Sequence, residues 1–184
     1  QIKELIEGLK SNPEGRRHIV TSWSPSTLDN MALTACHALF QMNCRPIPFK
    51  EKLELAKRNP DVEYDNLCLT EAASGNTDFG IIPQYYLDCH LYQRSADSML
   101  GIPYNITSYV LLTHIIAEIC NFAVGDFIHT FGDCHIYENH LEAVEEQLQR
   151  EPKPLPTLKI ERKFENVDPI SDNMMYQYDK VGCD

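Results

Sequence analysis

Apolar residues at the beginning of the chain recur with the spacing of an α-helix. Ile2, Leu5, Ile6 and Leu9 follow one another every three or four positions, and the turn-forming residues 11–15 come next. The pattern predicts an amphipathic helix that packs one face against a core. Because neither a capping residue nor a methionine precedes it, we expect the chain to be a fragment, one half of a split protein, or the ordered part of a longer one.

Four segments of the chain predict extended strands. They span residues 17–23, 31–43, 85–93 and 127–136. Residues 45–83, between the second and third strands, contain a short helical pattern at Phe49, Leu53 and Ala56 and then a polar loop. We interpret residues 45–83 as an insertion between two strands.

Two further segments have helical periodicity. Apolar residues within 106–122 fill more than one helical face, which is typical of a buried core helix. Residues 138–149 predict an amphipathic helix with Leu141, Val144 and Leu148 facing inward, ended by a proline-rich stretch. With 184 residues, the chain is expected to form one domain around one core.

The composition, 43% hydrophobic and 23% charged residues, is that of an ordinary soluble domain. No run approaches the roughly 18 apolar residues of a membrane span and no signal peptide is recognisable, so we expect a cytoplasmic protein without a membrane partner. The formal net charge of −11 argues against a nucleic-acid-coating surface, although it is compatible with a small basic pocket for one phosphate. The seven cysteines include no Cys-x-x-Cys pair, which predicts free thiols in a reducing compartment.

A cysteine and an arginine are the first candidates for chemistry. Cys36 stands next to His37, although an isolated pair of this kind is more often a small buried thiol beside a histidine, since reactivity needs an electropositive surrounding. Arg94, Ser95 and Asp97 follow an apolar strand, and a planar guanidinium there suits both a thiolate and a phosphate. A structural ion pair between Arg94 and Asp97 is the alternative.

Two other segments could bind an anion or a heteroaromatic ring. Arg16 and Arg17 are adjacent, so they either lie on a solvated surface or supply paired donors to a phosphate. Asn105 stands near the predicted beginning of the buried helix, where an asparagine usually caps the helix. Its amide could instead pair with the adjacent carbonyl and N–H of a uracil-type ring edge, because it carries both an acceptor and a donor.

Residues 132–140 alternate polar groups toward the end of a predicted strand. His135 and Tyr137 are expected to share one face, where they would suit the hydroxyl groups of a sugar. Cys134, His135 and His140 lack the usual spacing of zinc ligands, so we expect no metal.

Seven segments together resemble the thymidylate synthase and pyrimidine hydroxymethylase family. They are residues 12–19 (NPEGRRHI), 23–25 (WSP), 31–37 (MALTACH), 93–97 (QRSAD), 100–106 (LGIPYNI), 125–130 (GDFIHT) and 132–137 (GDCHIY). The chain resembles most of the C-terminal two-thirds of that family, as a single catalytic domain over residues 1–184 with 45–83 inserted and the N-terminal part of the family fold absent. The resemblance implies an α/β (α+β) fold, with a large mixed β-sheet packed by helices and a homodimer that pairs sheet to sheet.

The same resemblance implies a methyltransferase that converts dUMP to dTMP with 5,10-methylenetetrahydrofolate as the source of carbon and hydride. Cys36 would add to C6 of dUMP, which makes C5 a carbon nucleophile. The implied catalytic residues are Cys36, Arg94, Asp97 and His37. Those implied to bind the substrate are Arg16, Arg17, Gln93, Arg94, Ser95, Asn105, His135 and Tyr137, with Arg16 and Arg17 donated across the dimer interface. Those implied to contact the folate are Asp97, Leu100, Gly101 and Tyr104.

The sequence departs from the family pattern at several places. Thr34 and Ala35 precede the cysteine where the family usually has two prolines, and the last residue is Asp184 rather than an apolar one. We also expect the family's upstream segment, with an arginine, a tryptophan and a glutamate of the site, to be missing. Two alternatives therefore stay open: a phage-type dUMP or dCMP hydroxymethylase, and an inactive nucleotide-binding fragment or half of a split enzyme. Asn105 favours uracil, since the cytosine enzymes of this kind tend to carry a carboxylate there.

Overall fold

The computed structural model describes residues 1–58, 82–158 and 160. The helices are α1 (Ile2–Ser11), α2 (Phe49–Arg58), α3 (Gly101–Cys120) and α4 (Leu141–Leu148). The strands are β1 (Ile19–Thr21), β2 (His37–Pro46), β3 (Tyr85–Gln93), β4 (Ala96–Asp97), β5 (Ala123–Phe131) and β6 (Cys134–His135). Short 3₁₀ helices span Pro25–Asn30 and Glu138–His140.

Four of the strands form one mixed sheet in the order β1-β2-β3-β5. The pairs β1–β2 and β2–β3 are antiparallel, whereas β5 runs parallel to β3. A parallel neighbour needs a long crossover connection, which α3 provides between β3 and β5. β4 and β6 pair in a separate parallel ladder of two strands. The mixed α/β fold expected from the sequence is confirmed.

Helices α1 and α3 cover one face of this sheet and form the core with it. Side chains alternate between the two faces of a strand, so every second residue of β2 and β3 points toward α1 and α3. The buried cluster consists of Leu5, Ile6, Leu9, Phe40, Met42, Leu87, Cys89, Leu91, Ile116 and Ala117. Three residues of the predicted apolar face of α1, Leu5, Ile6 and Leu9, are therefore buried, whereas Ile2 is 43% exposed.

The opposite face of the sheet is open to solvent although it carries large apolar side chains. Ile19, Leu39, Tyr92 and Ile128 are 47%, 38%, 40% and 42% exposed, respectively. Leu39 pairs directly with Tyr92, so the two side chains are neighbours on that surface. We call these four residues the exposed sheet face. Single exposed apolar residues are usual, but several on one flat surface are typical of an interaction site.

The β2–β3 hairpin has two ends with different neighbours. His37 is opposite Gln93 at one end, and Pro46 is opposite Tyr85 at the other. The helix predicted in the inserted segment is confirmed as α2, which follows β2 at the Pro46 end. The polar loop predicted after that helix lies outside the described residues.

Several element boundaries differ from the sequence-based expectation. The strand expected over 31–43 begins only at His37, and the strand expected over 127–136 is divided into β5 and β6. The division occurs at Gly132, where the chain turns back toward Arg94: the Gly132 N–H donates to the Gln93 carbonyl at 2.8 Å. A side chain at Gly132 would lie 2.8 Å from the Arg94 carbonyl oxygen, so the turn requires glycine.

Two predictions about buried helix faces are wrong in part. α3 begins at Gly101, before the apolar run, and buries Thr113, Ile116 and Ala117, whereas Ile106, which was expected to be buried, is 40% exposed. α4 buries none of its residues, and Leu148 is 80% exposed. Helical periodicity identifies an apolar face, but it does not supply the neighbour that covers the face. Within the described ranges, no helix is long and apolar enough to cross a membrane.

Candidate active site

The β2–β3 pairing brings the candidate cysteine and arginine together. Cys36 immediately precedes β2 and is half-buried, and Arg94 immediately follows β3. The backbone N–H of Arg94 donates to the carbonyl of Cys36 at 2.9 Å. The side chain of Arg94 also points toward the cysteine, because its Nη2 lies 3.8 Å from Cys36 Sγ. A guanidinium next to a sulfur atom stabilises the negative charge of a thiolate.

The guanidinium of Arg94 is held by the residues that precede the cysteine. Its Nε donates to the carbonyl of Ala35 at 3.0 Å, and Nη2 donates to the carbonyl of Thr34 at 2.8 Å. Nη2 also donates to the hydroxyl of Thr34 at 2.7 Å, a contact that a proline could not make. The guanidinium lies 5.9 Å from the centre of the Trp23 ring. The alternative ion pair between Arg94 and Asp97 is not formed.

An open cleft of about 410 Å³ adjoins the cysteine. It is lined by Val20, Ser22, Ala35, Cys36, His37, Leu39, Phe40 and Tyr109. The ring of His37 packs edge-on against Tyr109, with 5.4 Å between ring centres, and its Nδ1 lies 3.3 Å from the Tyr109 hydroxyl. The wall of the cleft is therefore largely apolar, with Cys36 and His37 as its polar groups on the β2 side.

A chain of hydrogen-bonded polar side chains runs from Asn105 through the buried Gln93 to His129. Gln93 is 3% exposed, and its Nε2 donates to Asn105 Oδ1 at 3.1 Å and to the carbonyl of Ser95 at 2.9 Å. Its Oε1 lies 2.9 Å from His129 Nε2 on β5. Asn105 belongs to the second turn of α3, because Leu100 occupies the cap position. The expectation that Asn105 stands near the helix cap is thus wrong, and its amide faces Gln93.

His129 was not among the residues singled out from the sequence. It lies between Phe127 and Phe131 on β5, and its ring contacts both aromatic rings, with centre distances of 5.4 and 4.1 Å. Burial lowers the pKa of His129, and the charge of His37 lowers it further. The signal that could have found it is the alternation Phe-x-His-x-Phe, which puts a histidine on the buried face of a strand.

A second cluster forms where β4 pairs with β6. Asp97 is opposite His135, and the hydroxyl of Ser98 donates to the His135 carbonyl at 2.8 Å. His135 Nδ1 donates to Asp133 Oδ2 at 2.7 Å. The rings of His135 and Tyr137 meet edge to face with 4.9 Å between their centres. The two side chains that were expected to share one face of a strand are thus in contact, although β6 ends at His135 and Tyr137 follows it.

The beginning of α3 lies between this cluster and the amides of Gln93 and Asn105. Asp97 Oδ1 accepts from the backbone N–H of Met99 at 3.0 Å, as a side-chain acceptor next to a helix N-terminus often does. Leu100 and Tyr104 are 52% and 74% exposed, so they offer an apolar surface to solvent. A side chain at Gly101 would lie 3.3 Å from Asp97 Cβ and 3.6 Å from Asn105 Oδ1, so this glycine leaves space between the two polar groups.

Arg16 and Arg17 are not brought to this site within one chain. Both are exposed on the turn that precedes β1. The carbonyl of Arg16 accepts from Gln41 Nε2 at 3.3 Å, which fixes the backbone and leaves the guanidinium outside the contact. Among the described residues, neither arginine contacts Cys36 or Arg94.

The other described cysteines differ from Cys36 in their surroundings. Burial raises the pKa of Cys44 to about 12 and that of Cys89 and of Cys120 to about 11. We call these three the high-pKa thiols. All five described cysteines are free, as expected, whereas Cys68 and Cys183 lie outside the described residues. In the part of the chain that the structure describes, no cluster of three or more His, Cys, Asp or Glu could hold a metal ion.

The fold and the site define a class: an α/β protein in which a half-buried thiol next to an arginine opens onto a cleft, with a hydrogen-bonded amide pair elsewhere in the site. Such a thiol suits covalent attack on an electrophilic ring. A family model described as thymidylate synthase matches residues 1–181. A curated thymidylate synthase of Staphylococcus haemolyticus (strain JCSC1435) is 42% identical over 160 residues, which cover 87% of this chain. The chain belongs to the thymidylate synthase family, and the aligned part corresponds to 38% of that relative's length.

Proposed function

We propose that the protein is a thymidylate synthase that converts dUMP to dTMP and uses 5,10-methylenetetrahydrofolate as donor of both the methylene carbon and the hydride. The observation that carries the proposal is the 3.8 Å contact between Arg94 Nη2 and Cys36 Sγ at the mouth of a cleft, in a chain of this family. A cysteine buried among apolar side chains without a nearby cation would have argued against it.

Cys36 acts as the nucleophile in this proposal. Its sulfur bonds to C6 of the uracil, and the electron pair of the C5–C6 double bond moves to C5 and the adjacent carbonyl. C5 then bonds to the folate methylene and loses its proton to solvent. The bond between the methylene and the folate nitrogen breaks, so tetrahydrofolate leaves, becomes the hydride donor and ends as dihydrofolate. Hydride transfer from the folate completes the methyl group, and cleavage of the S–C6 bond restores the thiol. Covalent attachment divides one difficult substitution into easier steps.

Arg94 has two tasks in the proposal, at the thiol and at the phosphate of dUMP. Its Nε and Nη2 are engaged by the segment before Cys36. Its Nη1 has no hydrogen-bond acceptor among the described residues, which leaves it for an anion. Ser95 would donate its hydroxyl to the same phosphate, because it directly follows Arg94.

The base and the sugar would be bound by the other two groups of polar residues. Asn105 would pair with the uracil edge, with Gln93 and His37 supporting the ring and its water. His135 and Tyr137, whose rings touch, would bind the 3′-hydroxyl of the deoxyribose.

The folate would lie against the beginning of α3. Leu100 and Tyr104 offer an exposed apolar surface there, which suits an aromatic ring system. The carboxylate of Asp97 stands next to it and would accept hydrogen bonds from the ring's amino and N–H groups, while Gly101 keeps the approach open.

The active form would be a homodimer that uses the exposed sheet face. Its large apolar side chains are covered by no described residue of the same chain. Arg16 and Arg17 would then reach the phosphate of the partner subunit, since their guanidinium groups are exposed. The free thiols suit a reducing compartment, so the proposal includes a cytoplasmic location.

Release of tritium from C5-labelled dUMP in the presence of the folate tests the nucleophile. Cys36→Ala is expected to lose at least about 10⁴-fold in rate, as removal of a covalent nucleophile does. Cys134→Ala is the matched control, since Cys134 is an exposed thiol and is expected to keep the wild-type rate. Tritium release by Cys36→Ala at a comparable rate would overturn the assignment.

Two measurements separate this proposal from its rivals. Mass spectrometry of the product nucleotide distinguishes a methyl from a hydroxymethyl group, because the latter carries an additional oxygen atom. Turnover by the purified chain alone would exclude an inactive fragment, whereas activity that appears only with an added polypeptide would identify a split enzyme.

A further inference from the structure

We infer that His129 is a positioning residue that fixes the direction of the Gln93 amide and, through it, of the Asn105 amide, so that the site accepts uracil and rejects cytosine. The inference rests on the proposed binding of a pyrimidine nucleotide at Asn105. It concerns a histidine that touches no substrate atom and acts through two intervening amides.

The direction of the Gln93 amide follows from its three partners. An amide offers one carbonyl acceptor and one NH₂ donor. The backbone carbonyl of Ser95 can only accept, so the nitrogen of Gln93 must face it, at 2.9 Å. The oxygen of Gln93 then faces His129 Nε2 at 2.9 Å, which requires a proton on that ring nitrogen. With Gln93 3% exposed, loss of this donor would leave a buried carbonyl oxygen unsatisfied.

The direction of the Gln93 amide also fixes the direction of the Asn105 amide. Gln93 Nε2 donates to Asn105 Oδ1 at 3.1 Å, so Asn105 keeps its oxygen toward Gln93 and its nitrogen away from it. A carbonyl oxygen has a second lone pair, which can accept from the N3–H of uracil while the Asn105 nitrogen donates to O4. Cytosine presents the opposite pattern, an acceptor at N3 and a donor at C4. To bind it, Asn105 would have to turn and break its bond with Gln93.

The surroundings of His129 keep its ring in one orientation and one protonation state. Phe127 and Phe131 contact it from the same strand, with the Phe131 ring centre 4.1 Å away. Its Nδ1 is buried and has no hydrogen-bond partner among the described residues, which suits an unprotonated nitrogen. Burial and the charge of His37 lower its pKa, so the neutral ring predominates at neutral pH and carries its proton on Nε2.

Two variants whose side chains have similar length distinguish the role of the N–H donor of His129 from the role of its packing. His129→Gln keeps an N–H donor near the position of Nε2, and His129→Met fills a similar volume without a donor. The measurement is the dissociation constant for dUMP and for dCMP by titration calorimetry, with circular dichroism to check folding. We expect His129→Met to lose about tenfold in its preference for dUMP over dCMP, the effect of one buried hydrogen bond. We expect His129→Gln to stay within about threefold of the wild type.

Equal weakening of both nucleotides by His129→Met, with the preference unchanged, would overturn the inference and assign His129 to packing alone. Wild-type protein that binds neither nucleotide would overturn the proposed function as well. The ¹⁵N shifts of the His129 ring provide a test that needs no ligand and no variant: a proton on Nε2 supports the inference, and a proton on Nδ1 overturns it.

Discussion

Replacement of Thr34 by valine tests how the site holds its arginine. The two side chains have nearly the same shape, so the change removes a hydroxyl and little else. In the wild type, that hydroxyl accepts from Arg94 Nη2 at 2.7 Å, and the same nitrogen lies 3.8 Å from Cys36 Sγ. Without the hydroxyl, Arg94 loses one of the contacts that keep it against the thiol.

The magnitude follows from the hydrogen bonds that remain. A hydrogen bond to a charged group contributes about 1.5–3 kcal/mol. Arg94 keeps its bonds to the carbonyls of Ala35 and Thr34, at 3.0 and 2.8 Å. We therefore take the lower end of this energy range for the lost hydrogen bond. About 1.5 kcal/mol corresponds to a roughly tenfold change in rate or equilibrium constant.

Two assays report on the change. We expect the kcat/KM for dUMP to fall about tenfold in Thr34→Val, and Thr34→Ser to stay within about threefold of the wild type, since serine keeps the hydroxyl. Alkylation of Cys36 by iodoacetamide, followed by peptide mass spectrometry, should slow in the same order and requires no substrate. Agreement within twofold between Thr34→Val and the wild type, in both kcat/KM and the rate of alkylation, would refute the reasoning. A serine variant as slow as the valine variant would assign the effect to packing of the methyl group.

Three further predictions concern the thiols, the dimer and acid stability. Peptide-resolved alkylation at pH 7.5 should modify Cys36 well before the high-pKa thiols, because burial keeps those protonated; faster reaction of any of the three contradicts this. Mixing inactive Cys36→Ala and Arg17→Ala proteins should restore roughly a quarter of wild-type turnover, since half of randomly paired dimers contain one intact site; no recovery after verified subunit exchange contradicts donation across the interface. The lowered pKa of His129 means that the unfolded chain binds this proton more readily than the folded one. Its contribution to stability is therefore complete above the ordinary pKa of 6.5 and is lost as the pH falls below it. The melting temperature measured from pH 8 to pH 5 should fall less in His129→Gln than in the wild type, and equal falls would count against the assignment.

Local periodicity in the sequence was sufficient to predict most elements of the fold. The apolar spacing of residues 2–9 identifies α1, and the boundaries of β3 follow from its aromatic and β-rich run between turn residues. The beginning of α3 was harder to predict, because Gly101 and Pro103, which both lie in its first turn, are equally compatible with a loop.

The contacts of the site depend on register between distant segments, which no local pattern contains. Asn105 was expected near a helix cap, and its partner Gln93 became visible only once β3 and α3 were packed together. Thr34 was noted as a departure from the family, yet its bond to Arg94 requires the β2–β3 pairing. The exposed leucines of α4 show a second limit of prediction from sequence, since periodicity identifies an apolar face but not the element that would cover it.

The length of the β2–β3 hairpin has a consequence for how this chain can diverge from its relatives. The pairs His37–Gln93 and Pro46–Tyr85 are separated by eight residues of strand, roughly 27 Å. Ile47 and Gln84, which begin and end the connection and are joined by a backbone hydrogen bond of 2.9 Å, therefore lie at the end of the sheet that is remote from the sulfur and the guanidinium. A change in length at this end of the two paired strands does not alter the pairing that aligns Cys36 with Arg94 at the other end.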